Sequence, residues 1–104
     1  MSDYLIGIDA GCTSSKVVIF KDNGVIISLA STPSMRFKKR REDFEEFDVN
    51  ELWTLISQCI KKSIEQSGIE AREIKGIGVT SFGNGVVFLD KDGNSIAPGC
   101  FSQD

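Results

Sequence analysis

The sequence predicts an α/β fold in the order β-β-β-α-β, a mixed sheet with one long helix, closed by a β-hairpin. Three observations carry that expectation. Apolar runs separated by turn residues fill the first thirty positions. One amphipathic stretch, 48–68, has both a helix start signal and a stop signal. A glycine-bearing apolar run, 75–80, follows it after a short connector.

Tyr4–Asp9 reads as a buried strand, because Leu5, Ile6 and Ile8 are too continuous for a half-exposed one. Ser15–Phe20 is a second strand. Asp22-Asn23-Gly24 is a hairpin signal, since Asn-Gly tolerates the positive φ of a tight turn, and Val25–Ala30 returns as a third strand. From Thr32 to Phe47 the basic run Lys38-Lys-Arg-Arg41 is cancelled at once by Glu42, Asp43, Glu45 and Glu46. The expectation there is a solvated loop or edge strand with Phe37, Phe44 and Phe47 turned inward.

Asp48 is placed to cap a helix, with Glu51 three residues on completing a capping box. Leu52, Leu55, Ile56, Cys59, Ile60 and Ile64 recur at helical spacing, while Lys61, Lys62, Glu65 and Gln66 fall on the wet side. Trp53 flanks the stripe and is expected to anchor the core. Gly68 supplies the stop. Ile69–Ile74 is a connector with room for one helical turn. Lys75–Thr80 is the fourth strand, its two glycines suggesting close backbone approach. Val86–Leu89 is expected as a further strand, Asp92-Gly93-Asn94 as a hairpin turn, and 95–104 as the antiparallel return.

Composition limits the function classes. The 104 residues suit one domain, and 40% hydrophobic with 26% charged is ordinary for a globular chain. A net charge of −3 argues against a nucleic-acid partner. No apolar run is long enough to span a bilayer, and the first residues lack the basic start of a signal peptide, so no membrane association and a cytoplasmic location are expected. Three widely spaced cysteines suggest neither a disulfide framework nor a zinc cluster. The absence of histidine excludes a Ser-His-Asp or Cys-His mechanism within these residues.

The strongest chemical signal is Gly7-Ile-Asp-Ala-Gly-Cys-Thr-Ser-Ser-Lys16. A hydrophobic strand ends in a carboxylate, a glycine and hydroxyl run follows, and a lysine opens the next strand. Gly11 lets the backbone approach an anion, and the turn N–H groups can form a donor nest. Thr13 and Ser14 add hydroxyls, Lys16 adds a positive charge, and Asp9 can hold hydrated Mg²⁺. A tight hairpin with a polar turn is the plainer alternative. Neither a Walker A loop nor a dinucleotide fingerprint occurs, since Ser81 stands where a third glycine after Gly76 and Gly78 would be needed.

These ten residues resemble the first phosphate motif of the actin-like ATPase superfamily. Glu46-Phe-Asp48 followed by Leu52-Trp53 resembles the opening of the first long helix in FGGY-type carbohydrate kinases. Val79-Thr-Ser-Phe-Gly-Asn-Gly85 is similar to their post-strand loop, Val86–Gly93 to the next hairpin, and Phe101-Ser-Gln-Asp104 to the start of their Trp-x-Asp-x-Arg element. The resemblance implies an RNase H-like, actin-type fold with strand order 3-2-1-4, the fourth strand parallel to the first through a right-handed crossover. It also implies that residues 1–104 are the N-terminal part of a longer kinase, an incomplete domain whose catalytic base and adenosine site lie elsewhere. Asp9, Gly11, Cys12, Thr13, Ser14 and Lys16 would then serve ATP and Mg²⁺, with Asp9 at the metal. Gly83, Asn84 and Asp104 would face a small sugar or polyol, pentulose-like in class. Cys12 stands where a threonine is usual, and Phe82 and Asn84 replace glutamine and histidine, closer to L-xylulose or ribulose-type members. An unfinished sheet would leave the chain prone to self-association.

Two rivals share the opening motif. One is an actin-like activator of an iron–sulfur enzyme, which 81–104 does not fit because it lacks a cluster-binding cysteine arrangement. The other is a non-catalytic actin-like interaction module.

Overall fold

Three strands open the chain: β1 (Tyr4–Ala10), β2 (Ser15–Lys21) and β3 (Ile26–Ser31). A second group follows, β4 (Phe37–Arg41) and β5 (Phe44–Phe47), then α1 (Val49–Ser67), β6 (Ile74–Ser81), β7 (Gly85–Val86) and β8 (Gly99–Ser102). The computed structural model describes residues 3–11, 14–33, 37–41, 44–81, 83 and 85–102.

The first sheet has the order β3-β2-β1-β6. β1 and β2 are antiparallel from Tyr4↔Lys21 to Ala10↔Ser15, and β3 adds antiparallel to β2. β6 runs parallel to β1. The Asp22–Gly24 turn closes β2 to β3 with Gly24 at φ 92°, and Asn23 Oδ1 accepts from the Val25 N–H at 3.1 Å. Asn-Gly therefore does here what its backbone freedom allows.

α1 starts where its cap says it should. Asp48 Oδ1 accepts from Asn50 N at 2.9 Å and Glu51 N at 3.2 Å, and Gly68 ends the helix in the left-handed region at φ 76°. The helix packs across β2 and β3. Ile6, Val17, Ile19, Ala30 and Cys59 form the core beneath it, with Ile60 and Ile64 half-buried at its margin. Burial raises the Cys59 thiol pKa, a shift partly countered by a backbone hydrogen bond at Val17 and by Lys62.

A fully buried polar residue, Ser63, sits in this apolar contact. Ser63 is 0% exposed, and its hydroxyl and carbonyl both lie 2.8 Å from the Ser28 Oγ on β3. Trp53, by contrast, is 65% exposed, which corrects its expected role as a core anchor. Ile56, Cys59 and Ser63 are the buried residues of α1. At 100° per residue, Trp53 lies about 80° round the helix from the middle of that stripe. β1 is also less enclosed than expected: Ile8 is half-buried on the helix side, where α1 packs on β2 and β3, and Leu5 is half-buried and Asp9 exposed on the opposite face, which α1 does not cover.

The 32–47 region is not the expected loop or lone edge strand. β4 and β5 form an antiparallel hairpin, and β5 continues into a second sheet of order β4-β5-β8-β7. Phe47 is turned inward as expected, 3% exposed and packed on Gly99, its partner in the β5/β8 register, while the side chains of Phe37 and Phe44 lie outside what the structure describes. A Cβ on Gly99 would come within 2.5–2.9 Å of that ring, so the glycine makes the aromatic's seat. The predicted strand 86–89 shrinks to Gly85–Val86 plus an isolated bridge, Leu89↔Ser95. Its turn is tied instead by Asp90, whose Oδ1 accepts from Asp92 N and Asn94 N at 2.9 Å each. These donors, Asn94 first, hold the exposed carboxyl below its usual pKa.

The two sheets together span 51 × 30 × 19 Å, with a radius of gyration of 15.5 Å. A compact chain of this length would give about 13 Å. Among the described residues, no helix is long and apolar enough to cross a membrane, and no cluster of three or more metal-ligating side chains occurs.

Candidate functional site

The side of the first sheet away from α1 carries a cleft of about 480 Å³. Its described lining comprises Gly7, Ile8, Asp9, Lys16, Val18, Leu29, Gly78, Val79 and Thr80. Alternation along a strand explains which residues arrive there. On β1, Ile6 and Ala10 are buried on the helix side, which turns Gly7 and Asp9 the other way. On β2, Val17 and Ile19 are buried on the helix side, which turns Lys16 and Val18 toward the cleft.

Glycines lower the floor. Gly7 lies opposite Gly78 in the β1/β6 register, and a Cβ on Gly78 would meet nothing within 4 Å. Above this floor stand the polar groups. Asp9 is opposite Lys16 in the β1/β2 register and opposite Thr80 in the β1/β6 register. All three residues are exposed. A carboxylate, an ammonium and a hydroxyl thus share one rim at the C-terminal ends of β1 and β6, where open sheets with parallel strands place their ligands.

Gly11, just after β1, and Ser14, just before β2, approach each other closely at this rim. A Cβ on Gly11 would overlap the carbonyl oxygen of Ser14, so glycine is required there by space and not by a positive φ. The loop's exit is pinned: Ser15 N donates to Thr32 Oγ1 at 2.8 Å, and Thr32 N donates to Ser15 O at 2.8 Å. Of the residues expected at a phosphate, Asp9 and Lys16 come together on the cleft wall, while Gly11 and Ser14 lie in the adjoining loop. Cys12 and Thr13 lie outside the described residues. On the expected sugar side, Gly83 sits two positions past the end of β6, and Asn84 and Asp104 lie outside the described residues. Thr80 was not singled out by sequence reasoning. A polar residue at the end of an apolar strand was its one signal.

Residues 4–104 match the N-terminal domain of the FGGY family of carbohydrate kinases. The chain belongs to this family. It is 39% identical over 101 residues to a Haemophilus influenzae protein named "Probable L-xylulose kinase", a match covering 97% of this chain and 21% of that protein. It is 34% identical over 89 residues to the glycerol kinase of Oceanobacillus iheyensis, covering 86% of this chain and 18% of that protein. The chain therefore spans about a fifth of the length of the curated relatives it matches. Among solved structures, the xylulose kinase of Rhodospirillum rubrum superposes with a TM-score of 0.79 at 21% identity, over 94% of this chain and 20% of that one. The gluconate kinase of Lactobacillus acidophilus superposes equally well, TM-score 0.79 at 20% identity, over 95% of this chain and 19% of that one. Both carry the α/β fold, with its mixed sheet, of the FGGY chain described above.

Proposed function

We propose that this FGGY chain supplies the first phosphate loop, and part of the sugar pocket, of an enzyme that transfers the γ-phosphate of ATP to a hydroxyl of a small sugar or polyol. The carrying observation is the Lys16–Asp9–Thr80 rim above a glycine floor, beside a loop too tight for any side chain at Gly11.

The donor set suits hydrated Mg²⁺ with a phosphate tail. Asp9 offers a hard oxygen ligand and makes no hydrogen bond or ion pair among the described residues that would have to be given up. Lys16 offers a compact charge for phosphoryl oxygens. Ser14, with Cys12 and Thr13, would bring backbone N–H groups and hydroxyls. Asp9 would hold the Mg²⁺, which would supply charge neutralisation on the phosphates, and Lys16 with the loop residues would orient the phosphate tail and lower its repulsion toward an incoming hydroxyl. The base that takes the sugar proton would come from elsewhere in the enzyme.

Residues 1–104 are, in this reading, the truncated first domain of an RNase H-like, actin-type pair in a cytoplasmic kinase. Gly83, Asn84 and Asp104 would lie toward the sugar. Pentulose is the favoured substrate class, because the first of the named relatives bears an L-xylulose kinase name and Gly83-Asn84-Gly85 departs from the glutamine–histidine pattern.

The test is direct. The protein encoded by the complete reading frame is assayed with Mg²⁺ and ATP on a panel of pentuloses, glycerol and gluconate. Phosphorylation of a pentulose is expected, with Asn84→Ala raising the KM for sugar far more than for ATP. No transfer to any of the panel contradicts the reading. The 104-residue chain alone is expected to be inactive.

A further inference from the structure

Strand β6 brings to the phosphate motif's cleft a residue that the motif does not contain. Thr80 lies opposite Asp9 in the parallel β1/β6 register, one position before the strand ends. Asp9 lies opposite Lys16 in the antiparallel β1/β2 register. Directly paired residues on neighbouring strands project from the same face, about 5 Å apart. Lys16, Asp9 and Thr80 therefore form one row across three strands, in the order cation, carboxylate, hydroxyl.

Two further observations point this row at a ligand. The Thr80 hydroxyl has no hydrogen-bond partner among the described residues, and the residue is exposed on the cleft wall. Two positions earlier in the same registers, Gly7 faces Gly78, so the space beside Asp9 and Thr80 is floored by glycine, with the Val18 side chain bordering it next to Lys16. A threonine serving only as a strand former would need neither the glycine floor nor the neighbouring carboxylate.

We propose that Thr80 is a positioning residue of the metal–phosphate site, its Oγ1 accepting a hydrogen bond from the water shell of the Mg²⁺ that Asp9 holds. This rests on the reading of the cleft given above. The chemistry is suited to the ion: Mg²⁺ dehydrates reluctantly and keeps several waters, so its protein partners include groups that bond those waters as well as groups that bond the ion. A hydroxyl beside the carboxylate meets that need, and its own proton stays available to a phosphoryl oxygen.

The experiment uses the isotope-labelled chain and a non-hydrolysable ATP analogue, with Mg²⁺ titrated at fixed nucleotide and amide shifts recorded. These conditions register millimolar binding. Thr80→Val is close to isosteric and a good strand former, so β6 should stay paired, as shifts remote from the cleft will report. Thr80→Val should raise the Mg²⁺ concentration at half-saturation about three- to tenfold, the worth of one hydrogen bond. Thr80→Ser should behave as the unmodified chain. If Thr80→Val titrates like the unmodified chain while Asp9→Asn is impaired, the role of Thr80 is overturned and the cleft reading stands. Equal weakening by Thr80→Val and Thr80→Ser also overturns it, since the hydroxyl would not be the cause. No Mg²⁺-dependent shift at residues 9, 14, 16 or 80 in the unmodified chain overturns the cleft reading and this inference with it.

Discussion

Ser28 on β3 and Ser63 on α1 join strand to helix through a buried hydroxyl pair, the Ser28 Oγ lying 2.8 Å from both the carbonyl oxygen and the Oγ of Ser63. With Ser28 donating to the carbonyl, the Ser63 hydroxyl donates to Ser28. Ser28→Ala removes both bonds and leaves a buried donor unpaired, at a cost of about 1–3 kcal/mol. Ser63→Ala keeps the bond to the carbonyl and should cost less, about 1 kcal/mol. The double variant should lose less than the two singles summed, because the orphaned hydroxyl is gone. Urea unfolding of the three variants checks this; additive losses contradict the pairing.

Gly11→Ala sets a methyl where the Ser14 carbonyl oxygen stands. The loop must open, while the core beneath β1 and β2 is untouched. Binding of a Mg²⁺-nucleotide at the cleft should fall tenfold or more, with the melting temperature lowered by a few degrees only. Calorimetric titration beside thermal unfolding separates the two effects. Unchanged binding would mean that the tight loop has no part in the site.

Burial raises the Cys59 pKa, and the sign of the consequence follows by linkage. Above the ordinary value of 9.0 the unfolded chain ionises this thiol while the folded chain keeps its proton. The folded state then binds more protons, so stability is unaffected below pH 9.0 and falls as pH rises past it. The urea midpoint should drop between pH 8 and pH 10, and Cys59→Val should remove that part of the drop. A thiol reagent should reach Cys59 only on unfolding.

β6 ends the first sheet, and its Ile77 and Val79 are 70% and 67% exposed on the helix-side face that α1 leaves bare. Lys75 is the strand's one charge. A second copy pairing antiparallel, Ile77 against Val79, sets Lys75 against Ser81, so no like charges meet. The chain should therefore sediment at micromolar concentration as a dimer or larger, and Ile77→Lys should yield monomer. A monomeric unmodified chain would rule this interface out.

Local signals were legible in the sequence and non-local ones were not. Asn23-Gly24, Asp48 and Gly68 each act within a few residues, and each turn or helix end falls where those residues allow. Trp53 was misread because its burial depends on how much sheet lies under α1, which hydrophobic periodicity does not report. The second sheet was missed for the same reason: Phe47 finds its seat on Gly99, half the chain away, and charged residues between β4 and β5 concealed the hairpin. At the site, the ten-residue motif exposed Asp9, Gly11 and Lys16, whereas Thr80 joins them only through the β1/β6 register.

The central claim is that Asp9 serves a metal-bound nucleotide and not the fold. Asp9 is exposed and makes no hydrogen bond or ion pair among the described residues, so its loss should cost the fold within about 0.5 kcal/mol. The decisive measurement is Mg²⁺-dependent binding of an ATP analogue to the chain and to Asp9→Asn, with melting temperatures taken on the same samples. The account predicts binding reduced at least tenfold in Asp9→Asn with the melting temperature moved by no more than a few degrees. Binding unchanged by Asp9→Asn, or lost only in step with the fold, would contradict it.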